Sequence, residues 1–280
     1  MEYTFSDWLI FFYLYCFLGW VWETCYVSVK KGQWVNRGFM HGPFLPIYGS
    51  GAIVVLIFTL PYRTNAVAVF FVGMISATIL EYFTGVAMEK LFHVRYWDYT
   101  GKPLNLNGHI CAGSSLAWGV FSVILTLYGH TPVERFVLGM NINALEFAAF
   151  ALTSYISIDM ALSVREAINL RELLEGLEQS SEEFRHLQKQ VEVLYAFYGQ
   201  NVKERSEAGL KKINSALGTV SKGAPAKAAI MEKLENRKKR REYAGIRSIL
   251  RRNPYAVSKM HETAFSNFMT FSEQVSKTNK

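Results

Sequence analysis

Ala66–Met88 reads AVAVFFVGMISATILEYFTGVAM, 23 residues that carry one charged side chain, Glu81. A helix needs about 20 residues to cross the hydrocarbon core of a bilayer, with a working range of about 17–25. Four further apolar runs flank this one: Trp8–Val29, Phe44–Leu60, Ile110–Tyr128 and Phe136–Ile158. All fit the same length, Phe44–Leu60 at its short limit. They lack the period-two alternation of barrel strands, so the pattern predicts helices. The expected fold is all-α: a polytopic membrane protein with five transmembrane helices and a cytoplasmic helical, coiled-coil tail. The first run is not expected to be a cleaved signal peptide, because Glu2 and Asp7 rather than Lys or Arg flank it and no small-x-small site follows.

Lys and Arg predict the orientation. The loops after the first and third runs hold Lys30, Lys31, Arg37, Lys90, Arg95 and Lys102, whereas the other two hold only Arg63 and Arg135. By the positive-inside rule the N-terminus lies outside and the C-terminus inside. The short connectors expected outside are Pro61–Asn65 and Gly129–Glu134. Charge also divides the chain. Residues 1–160 contain 8 Lys and Arg against 9 Asp and Glu, and residues 161–280 contain 22 against 14. The mean hydropathy of +0.10 therefore averages a greasy half and a polar half. We expect a five-helix membrane domain at 1–162 and a basic helical tail at 163–280. Cys16, Cys25 and Cys111 fall in or beside membrane runs and suggest neither a disulfide framework nor a zinc site.

In the tail, Leu170, Leu173, Leu177, Ser180, Phe184, Leu187, Val191, Leu194 and Tyr198 recur at steps of three and four, a heptad seam. A second segment presents Leu210, Ile213, Leu217 and Val220. The two can pair as a hairpin, or the first can dimerise. Gly223 and Pro225 mark a linker. A third helix is expected from Ala226 to about Arg252, ended by Asn253-Pro254. Arg237, Lys238, Lys239, Arg240 and Arg241, followed by Arg247, Arg251 and Arg252, suit anionic lipid headgroups or a solvated face. No nucleic-acid recognition fold accompanies them.

The polar residues of the first 160 positions converge on the cytoplasmic half. Glu23 lies about 9 Å and Glu81 about 10 Å below the inner surface, by helix rise. Glu89 sits at that surface, two turns beyond Glu81 and on nearly the same face. A carboxylate in a bilayer costs at least a few kcal/mol unless paired or neutral. Two at matched depth predict one shared pocket, with Arg37 as the nearest cation. Around it lie Asn36, His41, Trp97, Asp98, Asn105, Asn107 and His109. Asn141, Asn143 and Glu146 occupy the fifth run, which places Glu146 at the bilayer centre. His41, His93 and His109 lack metal-ligand spacing, and nothing calls for a cofactor.

Gly19-Trp20 with Glu23, NRGFMHGPFLPIYGSG, Glu81-Tyr82 and Glu89 with Leu91-Phe92, WDYTGKPLNLNGHI, and Ser115 with Trp118-Gly119 stand in order along residues 8–130. Together they resemble the family described as Putative ABC-transporter type IV, or CmpB-like. The resemblance implies a permease of the bacterial cytoplasmic membrane. One departure is His109, where the family usually has Arg, which removes a permanent cation.

Three functions remain open on the sequence. A transporter permease would need a separate ATPase subunit, because the chain has no G-x-x-x-x-G-K-[ST], and five spans suggest a homo-oligomer. An enzyme acting on a lipid or polyprenyl headgroup would use the inner carboxylates and His109, with Arg37 on a phosphate. A scaffold would bind a partner through the heptad seam.

Overall fold

The computed structural model describes residues 3–198 and 237–269, with side chains over 3–180 and 244–269. Among them every regular element is a helix: α1 Phe5–Lys31, α2 Pro46–Thr59, α3 Ala66–Phe92, α4 Ala112–Ile124, α5 His130–Leu138, α6 Ile142–Tyr198 and α7 Arg237–Arg252. Phe5–Lys31, Ala66–Phe92, Ala112–Leu138 and Ile142–Ser180 are long and apolar enough to cross a membrane, and Pro46–Tyr62 is a shorter apolar helix.

Local chemistry explains the helix ends. Thr4 and Asp7 form a reciprocal capping box on α1, and Gly32, at φ 63°, closes it in the left-handed region. The Asn65 side chain accepts from the Val67 and Ala68 N–H groups at the start of α3. Cys111, expected only as a small core residue, also caps α4: its sulfur accepts from the Ser114 N–H at 3.4 Å.

Helix α3 shows how the bundle is built. Val69, Gly73, Ala77, Glu81 and Gly85 are buried at steps of four. Phe71, Ile75, Ile79 and Phe83, on the opposite face, are exposed at the same step. An exposed stripe of that size is untenable in water and suits lipid, so Glu81 belongs to the protein-facing side. Glycines let the helices approach closely. A Cβ at Gly49 would fall 2.7 Å from the Phe12 carbonyl oxygen. The core joins Phe11, Tyr15 and Cys16 of α1 to Leu56, Val137, Leu145 and Ile156.

Two expected boundaries move. The connector expected at Gly129–Glu134 is helical: a π turn at Leu125–Gly129 leads directly into α5, and the break comes at Gly139. The cause is burial. His130 meets the Tyr15 hydroxyl at Nδ1 (2.8 Å) and the Tyr3 hydroxyl oxygen at Nε2 (3.2 Å), and Tyr3 gives its proton to Glu134 at 2.5 Å. The polar pair at i and i+4 is thus satisfied inside the bundle rather than in a loop. Consequently α6 starts at Ile142, and Glu146 is exposed in its second turn, not at mid-span.

The chain forms two compact units, Met1–Ile168 with Ser248–Met260, and Asn169–Arg247 with His261–Lys280. Ser248–Met260, assigned by its sequence to the tail, thus joins the unit containing α1–α5. In the second unit Leu170 and Leu174 are fully buried, whereas Leu173 of the expected seam is partly exposed. The expected segment at Leu210–Val220, the linker and the start of the third helix lie outside the described residues. So do the side chains of Phe184–Tyr198 and of Arg237, Lys238, Lys239, Arg240 and Arg241, although α7 ends at Arg252, as Asn253-Pro254 requires.

Candidate functional site

Glu23 and Glu81 sit on α1 and α3, on either side of an aromatic pair. The Tyr48 hydroxyl donates to Glu23 Oε1 at 2.7 Å. The Trp118 indole N–H donates to Glu81 Oε2 at 3.1 Å, and the Tyr99 hydroxyl donates to Oε1 at 3.2 Å. The Tyr48 and Trp118 rings are 6.1 Å apart, so the two carboxylates are joined through their donors rather than by direct contact. Arg37 is not shared between them. Its Nε lies 3.7 Å from Glu23 Oε2, and its two Nη atoms are committed elsewhere, to Asn253 Oδ1 at 2.7 Å and the Tyr96 carbonyl at 3.2 Å. Among the described contacts Glu81 is held by neutral donors alone, so Arg37, expected as the nearest cation to both acids, serves only Glu23. Burial pulls the Arg37 guanidinium below its ordinary pKa, and Glu23 opposes that shift.

The loop between α3 and α4 is knitted by its own side chains. Arg95 Nε meets Glu89 Oε1 at 2.6 Å, and its Nη1 reaches the Asn107 carbonyl at 2.8 Å and Asp98 Oδ1 at 3.4 Å. Trp97 donates to the His109 carbonyl at 3.0 Å. The Asn105 amide donates to the Thr100 and Lys102 carbonyls, and Asn107 reaches the Tyr82 hydroxyl at 3.4 Å. Asp98 accepts from the Thr100 hydroxyl and N–H. Burial works against its charged form, but these donors, with Lys259 and Arg95, hold its carboxyl below the usual range.

His109 fits against Gly85, where a Cβ would approach its Nδ1 to 2.9 Å. Its Nε2 lies 3.1 Å from Glu89 Oε2. Burial and then the Arg95 cation push the imidazole below its ordinary value, against the pull of Glu89. The permanent cation missing at position 109 is therefore present beside Glu89 as Arg95. Burial and Glu81 likewise raise the Tyr99 phenol, which stays a donor.

A third cluster forms around His41. Its Nδ1 is 2.9 Å from Asp159 Oδ1 and its Nε2 is 3.0 Å from Glu166 Oε1. The N–H groups of His41 and Gly42 also donate to Asp159, at 3.1 and 2.7 Å. Asn36 accepts from Trp20 at 2.6 Å and donates to the His41 carbonyl at 2.7 Å, which shapes the turn. Glu166 Oε2 pairs with Arg252 at 3.0 Å. Arg252 was grouped with the lipid-facing or solvated basic cluster; in the structure it is buried.

The structure thus brings Glu23, Asn36, Arg37, His41, Glu81, Glu89, Trp97, Asp98, Asn105, Asn107 and His109 to the end of the bundle where α1 and α3 finish. Glu146 is excluded. It precedes Asp159 by 13 residues on the same helix, about 20 Å along its axis. As site candidates the sequence reading named neither Tyr48, Tyr99 and Trp118, which stood only within the quoted motifs, nor Asp159, Ser163, Glu166 and Lys259, and Asn253 only as a helix stop. One signal was available: positions 159, 163 and 166 share a helix face by period.

Among curated proteins and among solved structures none matches the chain. The match comes from a family model that covers residues 10–164, the stretch that holds α1 from its second turn, α2 to α5 and every site residue above except Glu166, Arg252, Asn253 and Lys259. The chain belongs to the family described as Putative ABC-transporter type IV.

Proposed function

We propose that this membrane protein is the permease component of an ABC-type transporter, crossing the membrane five times with its N-terminus outside and working with a separate ATPase subunit. The observation that carries the proposal is the placement of Glu23 and Glu81. Both lie on membrane-length helices within the family-matched stretch, Glu81 buried and Glu23 partly so, and are linked through Tyr48 and Trp118. Ionisable groups placed so are costly, and such groups mark pathways or binding sites. Their end of the bundle carries the loops rich in Lys and Arg, which supports an inner-face pocket. The chain itself has no phosphate-binding loop for ATP, so hydrolysis belongs to another polypeptide.

Purification of the full chain from its native membrane in mild detergent tests this. A copurifying ATPase subunit, lost or uncoupled in Glu23→Gln or Glu81→Gln, is the expected result. A tightly bound phospholipid or isoprenoid with no ATPase subunit would replace the transporter by an enzyme working on lipid headgroups.

A further inference from the structure

Ser248–Met260 arrives from about 80 residues further along the sequence and lies across the site described above. It is tied down along its whole length. Arg95 and Val257 exchange backbone hydrogen bonds in both directions, at 2.7 and 2.9 Å. Lys30 and Lys31 lie over the Tyr255 ring, 5.3 and 4.8 Å from its centroid. Arg252, Asn253, Ala256 and Ser258 are all buried.

Most of the segment's polar side chains act as donors in these contacts: the Arg252 guanidinium, the Asn253 amide, the Ser258 hydroxyl and the Lys259 ammonium. The face beneath presents acceptors. Arg252 meets Glu166 at 3.0 Å and the Phe39 carbonyl at 3.3 Å. Asn253 donates to the Gly38 carbonyl at 2.9 Å, and Ser258 to the His93 carbonyl at 2.6 Å. Lys259 donates to Thr100 and lies 3.8 Å from Asp98. The exceptions are Arg37, which donates to Asn253 Oδ1 and the Arg252 carbonyl, and Lys30 and Lys31, which lie over the Tyr255 ring.

The seat is also imperfect for its occupant. Among the described residues Arg252 Nε is buried with no hydrogen-bond partner, and an orphaned buried donor opposes closure. Leaving would uncover Glu166 and Asp98 and free Arg37 from Asn253.

We infer that this face is a binding site for a basic, arginine-bearing peptide segment, and that Ser248–Met260 is its resident occupant, a strap that must leave before such a segment of a partner can dock. While seated, the strap holds Arg37 of the Glu23–Arg37 pair through Asn253 and the Arg252 carbonyl. Docking and seating of the strap are therefore alternatives on one surface.

The test uses the full chain in detergent and a fluorescein-labelled peptide with the sequence of residues 248–260, added in trans and followed by anisotropy. Wild-type protein should bind it weakly, because the strap competes in cis. The Arg252→Ala, Lys259→Ala double variant should bind it about tenfold tighter or more, the scale of losing charge-assisted bonds. Adding Glu166→Gln should remove that gain. In parallel, amide hydrogen exchange at Arg95 and Val257 should accelerate together in the double variant. The milder Arg252→Lys keeps the charge without the planar fork, and should show an intermediate exchange rate if the strap is held through Glu166. Equal peptide binding by wild type and double variant, or exchange at Arg95 and Val257 unchanged in both variants, would overturn the inference. Peptide binding needs no ATPase subunit, so this result is independent of the transporter proposal.

Discussion

Asp159→Asn probes a buried carboxylate of the site that accepts three hydrogen bonds. Asp159 is 6% exposed and accepts from three groups: the His41 N–H, the His41 ring and the Gly42 N–H at 2.7 Å. Asparagine matches its shape but replaces one acceptor oxygen with a donor. With the amide oxygen toward His41, the new NH₂ faces the Gly42 N–H, donor against donor. With the amide reversed, it faces the His41 N–H instead. Either way one bond to a charged acceptor is lost, about 1.5–3 kcal/mol, and a buried N–H is stranded. The two overlap, so a net loss of about 3 kcal/mol is expected. Urea unfolding in mixed micelles measures it. Glu146→Gln, exposed on the same helix, should change stability by about 0.5 kcal/mol or less. An Asp159→Asn variant as stable as Glu146→Gln would refute the bonded role of Asp159 and, with it, the turn at His41–Gly42 as a fixed element of the site.

Glu81→Gln should keep its thermal midpoint in detergent near wild type, because Gln Oε1 can accept from Trp118 while Tyr99 reverses to accept from the amide. Glu81→Leu should lose about 1–3 kcal/mol, since the Trp118 N–H has no other role than to donate. Reporter fusions after Arg37 and after Lys102 should be cytoplasmic and those near Arg63 external; an external Lys102 would invert the proposed topology. His109 has a folded-state pKa below its ordinary 6.5, so the unfolded chain binds the extra proton first. Its stabilisation is full above about pH 6.5 and lost as pH falls below that toward the folded value. Midpoints compared at pH 7.5 and 5.5 should show a smaller acid loss in His109→Gln than in wild type, and an equal loss would remove His109 from the account.

Much of the scaffold was legible in the sequence because length and hydropathy act locally. The apolar runs became helices near their expected positions, and the positive-φ stop at Gly32 and the end of α7 before Asn253-Pro254 follow from single residues. The runs could not reveal where a helix continues through polar residues. His130 and Glu134 look like a loop until Tyr3 and Tyr15, more than 100 positions away, supply their partners.

The site divides in the same way. Glu23, Glu81 and Glu89 stand out in sequence because a carboxylate in an apolar run is expensive wherever it points. Their partners do not stand out. Tyr48 and Trp118 are ordinary membrane-run aromatics until packing aims them at a carboxylate. Arg37 looked like the cation for both acids, and only the tertiary arrangement shows its fork taken by Asn253 and Tyr96. Arg252 belonged to a basic cluster by composition, yet it is buried against Glu166. Composition and period therefore determined that this is an all-helical membrane protein with charges gathered at one end. Which charge meets which was decided by the fold, because hydrogen-bond partners are chosen by distance in space, and Ser248–Met260, which packs with these residues, lies about 80 positions beyond the rest of their unit.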